Sequence, residues 1–516
     1  MKQKKIILVL VLIILLSSII FVALKSRATN KETSSEVGKE ESSKPVTEEN
    51  AEEETEKEEI IEKKKIAYIS STKQNIRSHA DETSEIIDKI SKGTAVEIIE
   101  EKEVIIEVEN QKDKEESNNN QVENQEDEKE IIKSTWLKIQ FARPQENIIG
   151  WIPSEAIVMN RTEVLSDNLK ELDYSPQEKI TQYQGNPRKE VRGIYLTLYS
   201  ASNSRLDELI EMSKRTSINT FVIDVKDDNG HMLFESQAAK KFSPDANKNA
   251  PIKDIKALVK KLHDNDIYAI ARIVSFKDPT YTKKHKDRAI VYKDSNKPFT
   301  NSDGLIWASP HDRELWEYNV EVSKEAAEAG FNEIQFDYVR FPASNGGKLD
   351  KSLNYRNTNN ESKPGAIQNY LKYAYKELSP KEVYISADIY GLVGSVTDDM
   401  ALGQYWEAVS NVVDYVSPMM YPSHYANGTY GLSVPDAYPY ETIFHSTEDS
   451  VIRNNNIETP AKIRPWIQDF TASWVKGHIK YGTKQVEQQI KALEENGVTE
   501  FLLWNASNRY SEDALK

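Results

Sequence analysis

The sequence contains no cysteine among its 516 residues. This absence excludes disulfide bonds, thiol nucleophiles and cysteine-ligated zinc. An excess of basic residues is also lacking, because the formal net charge is −16, and such a charge argues against a nucleic-acid partner. Residues 31–65 hold 13 acids and 7 bases (net −6), and residues 100–130 hold 13 acids and 4 bases (net −9). The rest of the chain is therefore nearly neutral, and the acidity says little about a substrate.

A long uncharged apolar run lies near the amino terminus. After MKQKK, the nineteen residues Ile6–Leu24 carry no charge, and at about 1.5 Å per residue they can cross a bilayer core of about 30 Å. The preceding lysines predict that everything after this run lies outside the cell. We therefore expect residues 1–28 to be a cytoplasmic tip and a single-pass membrane anchor, with the later domains extracellular. A cleaved signal peptide and secretion is the alternative, although VALKSRATN offers only a poor cleavage site.

Composition divides the following part of the chain. Residues 29–65 are almost devoid of apolar side chains and predict a disordered acidic linker, with a charged helix over residues 48–65 as the alternative. Residues 66–158 carry short apolar runs separated by turn residues, which predicts a small all-β domain. Within it, residues 100–130 are a charged insertion that we expect to form a long solvated hairpin tip. Residues 159–190 are predicted to be a linker.

The segment NIRSHADETSEIIDKISKGTAVEII, followed by WLKI and GWIPSEAI, closely resembles the bacterial SH3-type domain. The matching positions are Asn75, Ile76, Arg77, Ile87, Gly93, Val96, Trp136, Gly150 and Trp151. The resemblance implies an SH3-like barrel of five to seven strands that binds cell-wall peptide or glycan. The insertion departs from the family pattern and brings many carboxylates near the expected binding face. A spacer module without a strong ligand is the alternative.

From Val191 onward, strand-length apolar runs alternate regularly with amphipathic helix-length runs. Eight strands are predicted, over residues 191–198, 219–226, 267–276, 332–341, 383–391, 414–422, 463–470 and 500–507. Strands that alternate with helices predict an α/β fold with a parallel sheet, and eight of them favour closure into a (β/α)8, or TIM, barrel over residues 191–516. An open doubly wound sheet is the alternative.

The fourth predicted strand, FNEIQFDYVRFP, carries polar side chains among apolar ones. Because side chains alternate between the interior and the helix layer, Ile334 and Phe336 would face the helices, and Asp337 would be the last inward residue. The same register on VYISADIYG leaves Asp388 inward at the end of the fifth strand. Active sites of this fold lie at the carboxyl ends of the strands, which are about 4.8 Å apart. Asp337 and Asp388 should therefore meet at the barrel mouth as a catalytic pair.

Further side chains at strand ends are expected to bind the substrate. They are Asp224, Arg272, Trp307, Arg340, Tyr390, Tyr421, His424, Trp466, Gln468, Asp469, Trp504 and Asn505. Aromatic faces pack against the C–H faces of sugar rings, and carboxylate, amide and arginine groups bond to hydroxyls, so the set favours a carbohydrate ligand. The alternatives for a single aspartate are a cap on the next helix or, for Asp388, an ion pair with Arg272 or Arg340.

The segments VRGIYLT, FVIDVKDDNG, EIQFDYVRFP, SADIYG, VDYVSPMMYPSHY, PWIQDF and FLLWNASN resemble a bacterial family of glycosidase-like TIM-barrel domains from uncharacterised proteins. The resemblance covers about residues 190–510. In similar barrels the aspartate that ends the fourth strand is the nucleophile or the main charge stabiliser, and the resemblance implies that role for Asp337. The glutamate usual in the family's order is replaced by Asp388 on the fifth strand.

These observations predict a cell-surface glycoside hydrolase that cleaves a polysaccharide or cell-wall glycan. Asp337 would be the ionised carboxylate, stabilised by Arg340 or Arg272, and Asp388 would be the acid, with its pKa raised by the charge of Asp337. A non-catalytic glycan-binding or wall-binding surface protein is the alternative. A metal-dependent deacetylase is disfavoured because the histidines are scattered along the chain, and we expect no metal or cofactor.

Overall fold

The structure is a computed structural model, and it describes residues 64–109 and 129–516. The predicted membrane anchor, the acidic linker up to residue 63 and the tip of the charged insertion lie outside the described residues. The chain divides into two units, residues 1–62 and 63–516, and the described residues belong to the second. Among the helices of the described ranges, none has the length and apolar character that a membrane crossing requires.

Residues 65–109 and 129–158 form a seven-stranded antiparallel sheet. Its strands are β1 Lys65–Ile69, β2 Lys73–Arg77, β3 Ile86–Ser91, β4 Ala95–Glu109, β5 Lys129–Ala142, β6 Asn147–Pro153 and β7 Ile157–Val158, in the spatial order β3-β2-β6-β5-β4-β1-β7. The two long strands, β4 and β5, pair from Glu97 with Gln140 to Glu109 with Lys129. The described ends of the charged insertion therefore continue the β4–β5 hairpin. The SH3-type assignment of this sheet stays a prediction.

The predicted linker after this sheet closes the amino-terminal end of the following barrel. It contains the short helix α1 Asp167–Lys170 and then packs beneath the strands. The ring of Tyr183 lies 5.0 Å from that of Tyr384, and Arg188 Nη2 donates to Asp414 Oδ1 at 2.8 Å. Tyr384 begins its strand and Asp414 immediately precedes one, so these contacts mark the end of the barrel opposite the expected site.

Residues 192–504 contain eight parallel strands that close on themselves. They are β8 Arg192–Leu196, β9 Thr220–Lys226, β10 Tyr268–Val274, β12 Glu333–Asp337, β14 Tyr384–Tyr390, β15 Tyr415–Met419, β17 Trp466–Gln468 and β18 Phe501–Trp504. A short strand β16 Lys462–Ile463 precedes β17, and β11 Val291–Tyr292 pairs with β13 Leu353–Asn354 outside the barrel. Because β18 pairs with β8, the eight-stranded barrel predicted from the sequence is confirmed, and the open sheet is excluded.

Helices surround the barrel strands. They are α2 Ser204–Ser213, α3 Gln237–Phe242, α4 Ile255–His263, α5 Pro279–Lys284, α6 Arg313–Ala329, α7 Lys363–Leu378, α8 Trp406–Ser410, α9 Pro439–Asn454 and α10 Thr483–Glu495. The longest, α6, begins where the Asp312 side chain accepts from the backbone of Glu314 and ends at Gly330, whose φ of 106° suits a residue without a β-carbon. A 3-10 turn, Glu512–Leu515, takes the place of a last helix.

The predicted alternation of side chains holds on the fourth strand. Ile334 and Phe336 are fully buried in the layer between strands and helices. Gln335, between them, points to the other side, because its Nε2 reaches Ser417 Oγ on β15 across the interior at 3.3 Å. The inward row of β12 therefore ends at Asp337, at the carboxyl end of the barrel.

Candidate active site

A cavity of about 200 Å³ opens at the carboxyl ends of the barrel strands. Its lining residues are Asp337, Tyr338, Arg340, Tyr390, Gly391, Leu392, Met419, Tyr421, His424, Tyr425, Phe470 and Trp504. Six of these were expected from the sequence, namely Asp337, Arg340, Tyr390, Tyr421, His424 and Trp504. Asp337 is the one carboxylate among the lining residues, so this cavity and this side chain define the candidate active site.

Asp337 is held by an arginine from the neighbouring strand β10. Arg272 donates to Asp337 Oδ2 through Nε at 2.9 Å and through Nη2 at 2.5 Å. The other oxygen, Oδ1, accepts from the backbone N–H of Tyr338 at 2.5 Å. Arg340, the other expected partner, instead donates to the carbonyl of Phe341. The negative charge of Asp337 is therefore stabilised by Arg272.

Arg272 also binds two further carboxylates behind the cavity. Its Nη1 donates to Asp224 Oδ1 at 2.5 Å, and its Nη2 donates to Asp228 Oδ1 at 3.1 Å. Burial raises the pKa of Asp224 to about 6, although Arg272 and a hydrogen bond from Tyr195 oppose that rise. Burial alone would lower the pKa of Arg272, but Asp224, Asp337 and Asp228 raise it well above its usual value. The guanidinium thus stays charged and fixes three carboxylates.

Asp388 lies beside Asp337 but does not line the cavity. The pairing of Phe336 with Ala387 sets the two aspartates at the ends of adjacent strands. Asp388 is only 1% exposed, and its Oδ1 accepts from Trp466 Nε1 at 2.8 Å. Burial, followed by the charge of Asp337, raises the pKa of Asp388 well above its usual range. Of the two carboxyl groups, Asp337 alone reaches the cavity.

Tyr338 is a lining residue that sequence reasoning missed. Its φ is 47°, in the left-handed region that a bulky side chain rarely occupies, and it directly follows Asp337. Its hydroxyl accepts from Lys277 Nζ at 3.2 Å, and the same ammonium lies 3.3 Å from Asp228 Oδ2. Backbone strain beside a cavity-lining carboxylate is typical of a functional site.

Aromatic side chains form one wall of the cavity. Trp504 stacks on Tyr195 at 4.0 Å between ring centroids, and Tyr421 lies 6.4 Å from Trp504. Phe470, 5.9 Å from Tyr421, extends this wall and was not expected. The signal for Phe470 in the sequence is its position just after the PWIQ segment. The signal for Tyr425 is its position as the second tyrosine of YPSHY.

Gly391 lines the cavity at a position where a larger residue would not fit. A β-carbon at this position would lie 2.5 Å from the carbonyl oxygen of Met419 and 2.5 Å from the hydroxyl of Tyr425. The first of these is backbone and cannot move aside. The glycine that ends the sequence SADIYG therefore permits a close approach of the fifth and sixth strand ends.

Seven of the twelve residues expected to bind the substrate do not line this cavity, and Trp307, Gln468, Asn505 and Asp469 are four of them. Trp307 is fully buried, with the Arg340 guanidinium 4.7 Å above its ring. Gln468 Oε1 accepts from Ser423, and Asn505 Nδ2 donates to the carbonyl of Asp469.

The Asp469 carboxylate accepts from the backbone and the hydroxyl of Ser511. Strand β17 ends at Gln468, and because Trp466 faces the interior, the period-two alternation does not aim Asp469 inward. Asp224, Arg272 and Trp466 also lie behind the lining. Arg272 binds both Asp224 and Asp337, and Trp466 donates to Asp388. In the described part of the chain, no group of three or more histidine, aspartate and glutamate side chains is arranged to hold a metal ion.

A family model described as "Putative glycosyl hydrolase domain" matches residues 193–510, more than half of the chain. The chain belongs to this glycosyl hydrolase family. The matched range covers the whole barrel from β8 to β18, including Asp337 and Asp388. No curated protein matches the sequence.

Several solved structures resemble the glycosyl hydrolase chain. A hypothetical protein from Ruminiclostridium thermocellum is 35% identical over 38% of this chain and 96% of its own, with a TM-score of 0.34. The glycoside hydrolase domain of PgaB (BpsB) from Bordetella bronchiseptica is 12% identical over 63% and 98%, with a TM-score of 0.46. The α-galactosidase TtGalA from Thermus thermophilus is 10% identical over 73% and 71%, with a TM-score of 0.40. At these TM-scores the likenesses carry no argument about the site.

Proposed function

We propose that this barrel hydrolyses a glycosidic bond of a polysaccharide, with Asp337 as the ionised carboxylate and Asp388 as the proton donor. The observation that carries the proposal is the contrast between two neighbouring carboxyl groups. Asp337 lines the cavity and is paired with Arg272, whereas burial and the charge of Asp337 raise the pKa of Asp388. Two carboxyl groups whose surroundings separate their protonation states meet the requirement of glycosidase chemistry.

The contacts assign a role to each oxygen. The indole N–H of Trp466 donates to Asp388 Oδ1, so the proton of the neutral acid resides on Oδ2. Because Asp388 does not line the cavity in this structure, the lining must shift on substrate binding to bring the glycosidic oxygen to it. The proton of Asp388 then passes to that oxygen as the bond to the anomeric carbon breaks, while Asp337 attacks that carbon or stabilises its positive charge. Water supplies the hydroxyl group of the product, and its remaining proton returns to Asp388. Arg272 keeps Asp337 oriented, and Trp504 and Tyr421 offer faces for the sugar ring.

The test is hydrolysis of a polysaccharide panel by the full-length chain, purified in mild detergent. The panel contains peptidoglycan, capsular and biofilm polysaccharides, and α- and β-glucans. We expect Asp337→Asn to lower turnover at least about a thousandfold, because the anomeric charge loses its carboxylate. Asp469→Asn is the matched control, since that buried carboxylate bonds to Ser511 and should be nearly neutral for turnover. An active Asp337→Asn variant would overturn the assignment.

We also propose that the enzyme acts outside the cell, anchored in the membrane by residues 1–28. The uncharged run Ile6–Leu24 behind an amino-terminal lysine cluster supports this location. Protease treatment of intact cells that express the full chain should degrade the barrel and leave cytoplasmic proteins intact. Protection of the barrel in intact cells, with degradation only after lysis, would contradict it.

A glycan-binding protein without hydrolase activity is the second candidate. It is favoured by one observation, that Asp388 is 1% exposed and does not line the cavity. A binder requires aromatic faces and one polar clamp, and the cavity supplies both through Trp504, Tyr421 and Asp337. Retention on a polysaccharide of the panel without release of reducing ends would favour this candidate over hydrolysis.

A further inference from the structure

A continuous series of aromatic rings leads from the barrel interior to the solvent. Tyr195 stacks on Trp504, Trp504 neighbours Tyr421, and Tyr421 contacts Phe470. Phe470 then lies 6.0 Å from Trp474 at an interplanar angle of 19°. Tyr195 and Tyr421 are each only 5% exposed, Trp504 and Phe470 are half-buried, and Trp474 at the outer end is 68% exposed. The series therefore joins the cavity to the outer surface.

The loop that carries Trp474 is held in place. The Thr471 hydroxyl accepts from the backbone of Tyr481 at 3.1 Å, across the base of the loop. The fully buried Asp436 accepts from the backbone of Ile479 through Oδ2 and from Gln468 through Oδ1. Ala472, two residues before Trp474, is fully buried. The tryptophan is thus presented to solvent by an anchored loop and contributes little to the core.

The cavity is too small for a chain of sugars. Its volume of about 200 Å³ lies below the roughly 300–1,000 Å³ of pockets that enclose a drug-sized ligand. A polysaccharide bound with one unit beside Asp337 must therefore continue across the rim. On the side of Phe470, the next surface it meets is the indole of Trp474.

The ring geometry leaves this surface available. Parallel rings in direct contact are separated by about 3.5–4 Å, so a centroid distance of 6.0 Å implies a sideways offset of about 5 Å. Much of each face is therefore uncovered by the other ring. Offset, nearly parallel faces suit successive pyranose rings, whose C–H faces pack on aromatic rings.

We infer that Phe470 and Trp474 form a binding platform for the part of a glycan chain that lies outside the cavity. The ligand class is a linear polysaccharide of several pyranose units. The inference rests on the proposed function of the Asp337 cavity, because it assigns the outer units of the same substrate. It predicts that Trp474 matters for polymers and is dispensable for a substrate with a single sugar.

The experiment compares retention and turnover in the full-length chain. Retention on insoluble peptidoglycan, chitin, cellulose and starch is measured in the Asp337→Asn background, so that hydrolysis does not release the protein. Turnover of the retained polymer and of aryl monoglycosides is measured in the parent chain. We expect Trp474→Ala to reduce retention and polymer turnover about tenfold, with aryl-glycoside turnover unchanged. Trp474→Phe should restore most of both, and Ile180→Ala, at a 42% exposed apolar position in the segment that closes the opposite end of the barrel, is the control.

The outcomes separate the platform from the catalytic assignment. If Trp474→Ala weakens retention but Asp337→Asn leaves turnover intact, the platform stands and the catalytic role of Asp337 falls. If Trp474→Ala leaves polymer retention unchanged while Asp337→Asn abolishes turnover, the platform falls alone. An equal loss on aryl monoglycosides, no retention of the parent on any of the four polymers, or Trp474-dependent sedimentation only with phosphatidylglycerol vesicles would also overturn the platform.

Discussion

Arg272 and Asp337 lie on adjacent parallel strands, and the guanidinium donates twice to a single carboxylate oxygen, Oδ2. Both side chains are buried, and the same guanidinium also binds Asp224 and Asp228. Arg272 thus serves three carboxylates, and Lys277 is a second cation beside Asp228. Burial and the charge of Asp337 raise the pKa of Asp388 on the next strand, although Trp466 and Arg272 oppose that rise.

The first prediction concerns the removal of this shared cation. Arg272→Met keeps much of the side-chain volume but leaves Asp337 and Asp224 without their positive partner, whereas Asp228 keeps Lys277. Breaking a buried ion pair from one side typically lowers the free energy of unfolding by about 3–5 kcal/mol. We expect a loss of that size in urea unfolding followed by tryptophan fluorescence, together with loss of turnover.

Arg215→Met is the control for the Arg272 variant. Arg215 pairs with Glu512 on the surface, where its side chain is half exposed, and such pairs contribute at most about 1 kcal/mol. Equal unfolding midpoints for the two variants would show that Arg272 does not hold the carboxylates as described.

The second prediction concerns Asp388 and pH. In Asp388→Asn, the amide oxygen can still accept from Trp466 Nε1, but the side chain has no acidic proton to donate. We expect turnover to fall about 10²–10⁴-fold, the usual contribution of a general acid. The parent should also lose activity as the pH rises through the raised pKa of Asp388, and the residual activity of the variant should lack that alkaline decline.

The linkage of Asp388 to stability has a definite sign. Because its pKa is higher in the folded than in the unfolded chain, the folded state binds more protons between those two values. The stabilisation is complete below the unfolded pKa of about 3.9 and is lost as the pH rises through the folded pKa. Relative to Asp388→Asn, the parent should become less stable from acid to alkaline pH. A constant difference would contradict the raised pKa.

The sequence predicted the strands and the position of Asp337 because both depend on local pattern. The period-two alternation that buries Ile334 and Phe336 in the helix layer requires only that β12 is a strand. The position of Asp388 beside Asp337 followed from the order of the parallel strands. The number of strands and the closure of the barrel could therefore be predicted from the sequence.

The paths of the loops and the burial depth of individual side chains could not be predicted from the sequence. Asp469 was expected at the rim because it lies near the end of its predicted strand, but β17 ends one residue earlier and the carboxylate turns to Ser511. The depth of Asp388 depends on Trp466 from two strands away. Phe470 and Trp474 belong to a loop whose sequence has no periodicity. The left-handed backbone at Tyr338 could not be predicted either, because tyrosine rarely adopts that conformation.

The third prediction tests the strain at Tyr338. With φ at 47°, alanine at this position retains the steric penalty of a β-carbon, whereas glycine does not. We expect Tyr338→Gly to be more stable than Tyr338→Ala by about 1 kcal/mol in urea unfolding.

Tyr390 supplies the matched control, because it also ends a strand at the cavity but has a φ of −58°. There the order should reverse, with the glycine variant less stable by about 0.5–1 kcal/mol. If alanine proves better than glycine at both positions, the left-handed conformation of Tyr338 is refuted.

The fourth prediction concerns the segment that closes the amino-terminal end of the barrel. A chain that starts at Val191 lacks Tyr183 and Arg188 and so uncovers Tyr384 and leaves the buried Asp414 without its partner. Burial already raises the pKa of Asp414 to about 6. We expect this chain to melt at a lower temperature than one that starts at Asn160, or to aggregate through the uncovered tyrosines.

A point variant separates the Arg188 guanidinium from the rest of the segment. In a chain that starts at Asn160, Arg188→Ala removes the donor to Asp414 and to the carbonyls of Ile180 and Thr181, and it should lower the free energy of unfolding by about 3 kcal/mol. Arg192→Ala is the control, because Arg192 makes a 3.5 Å contact with the largely exposed Glu190 and should have little effect. Equal melting temperatures for chains that start at 160 and 191 would mean that the segment is a tether rather than a part of the barrel. Such a result would also agree with the linker that was predicted for residues 159–190.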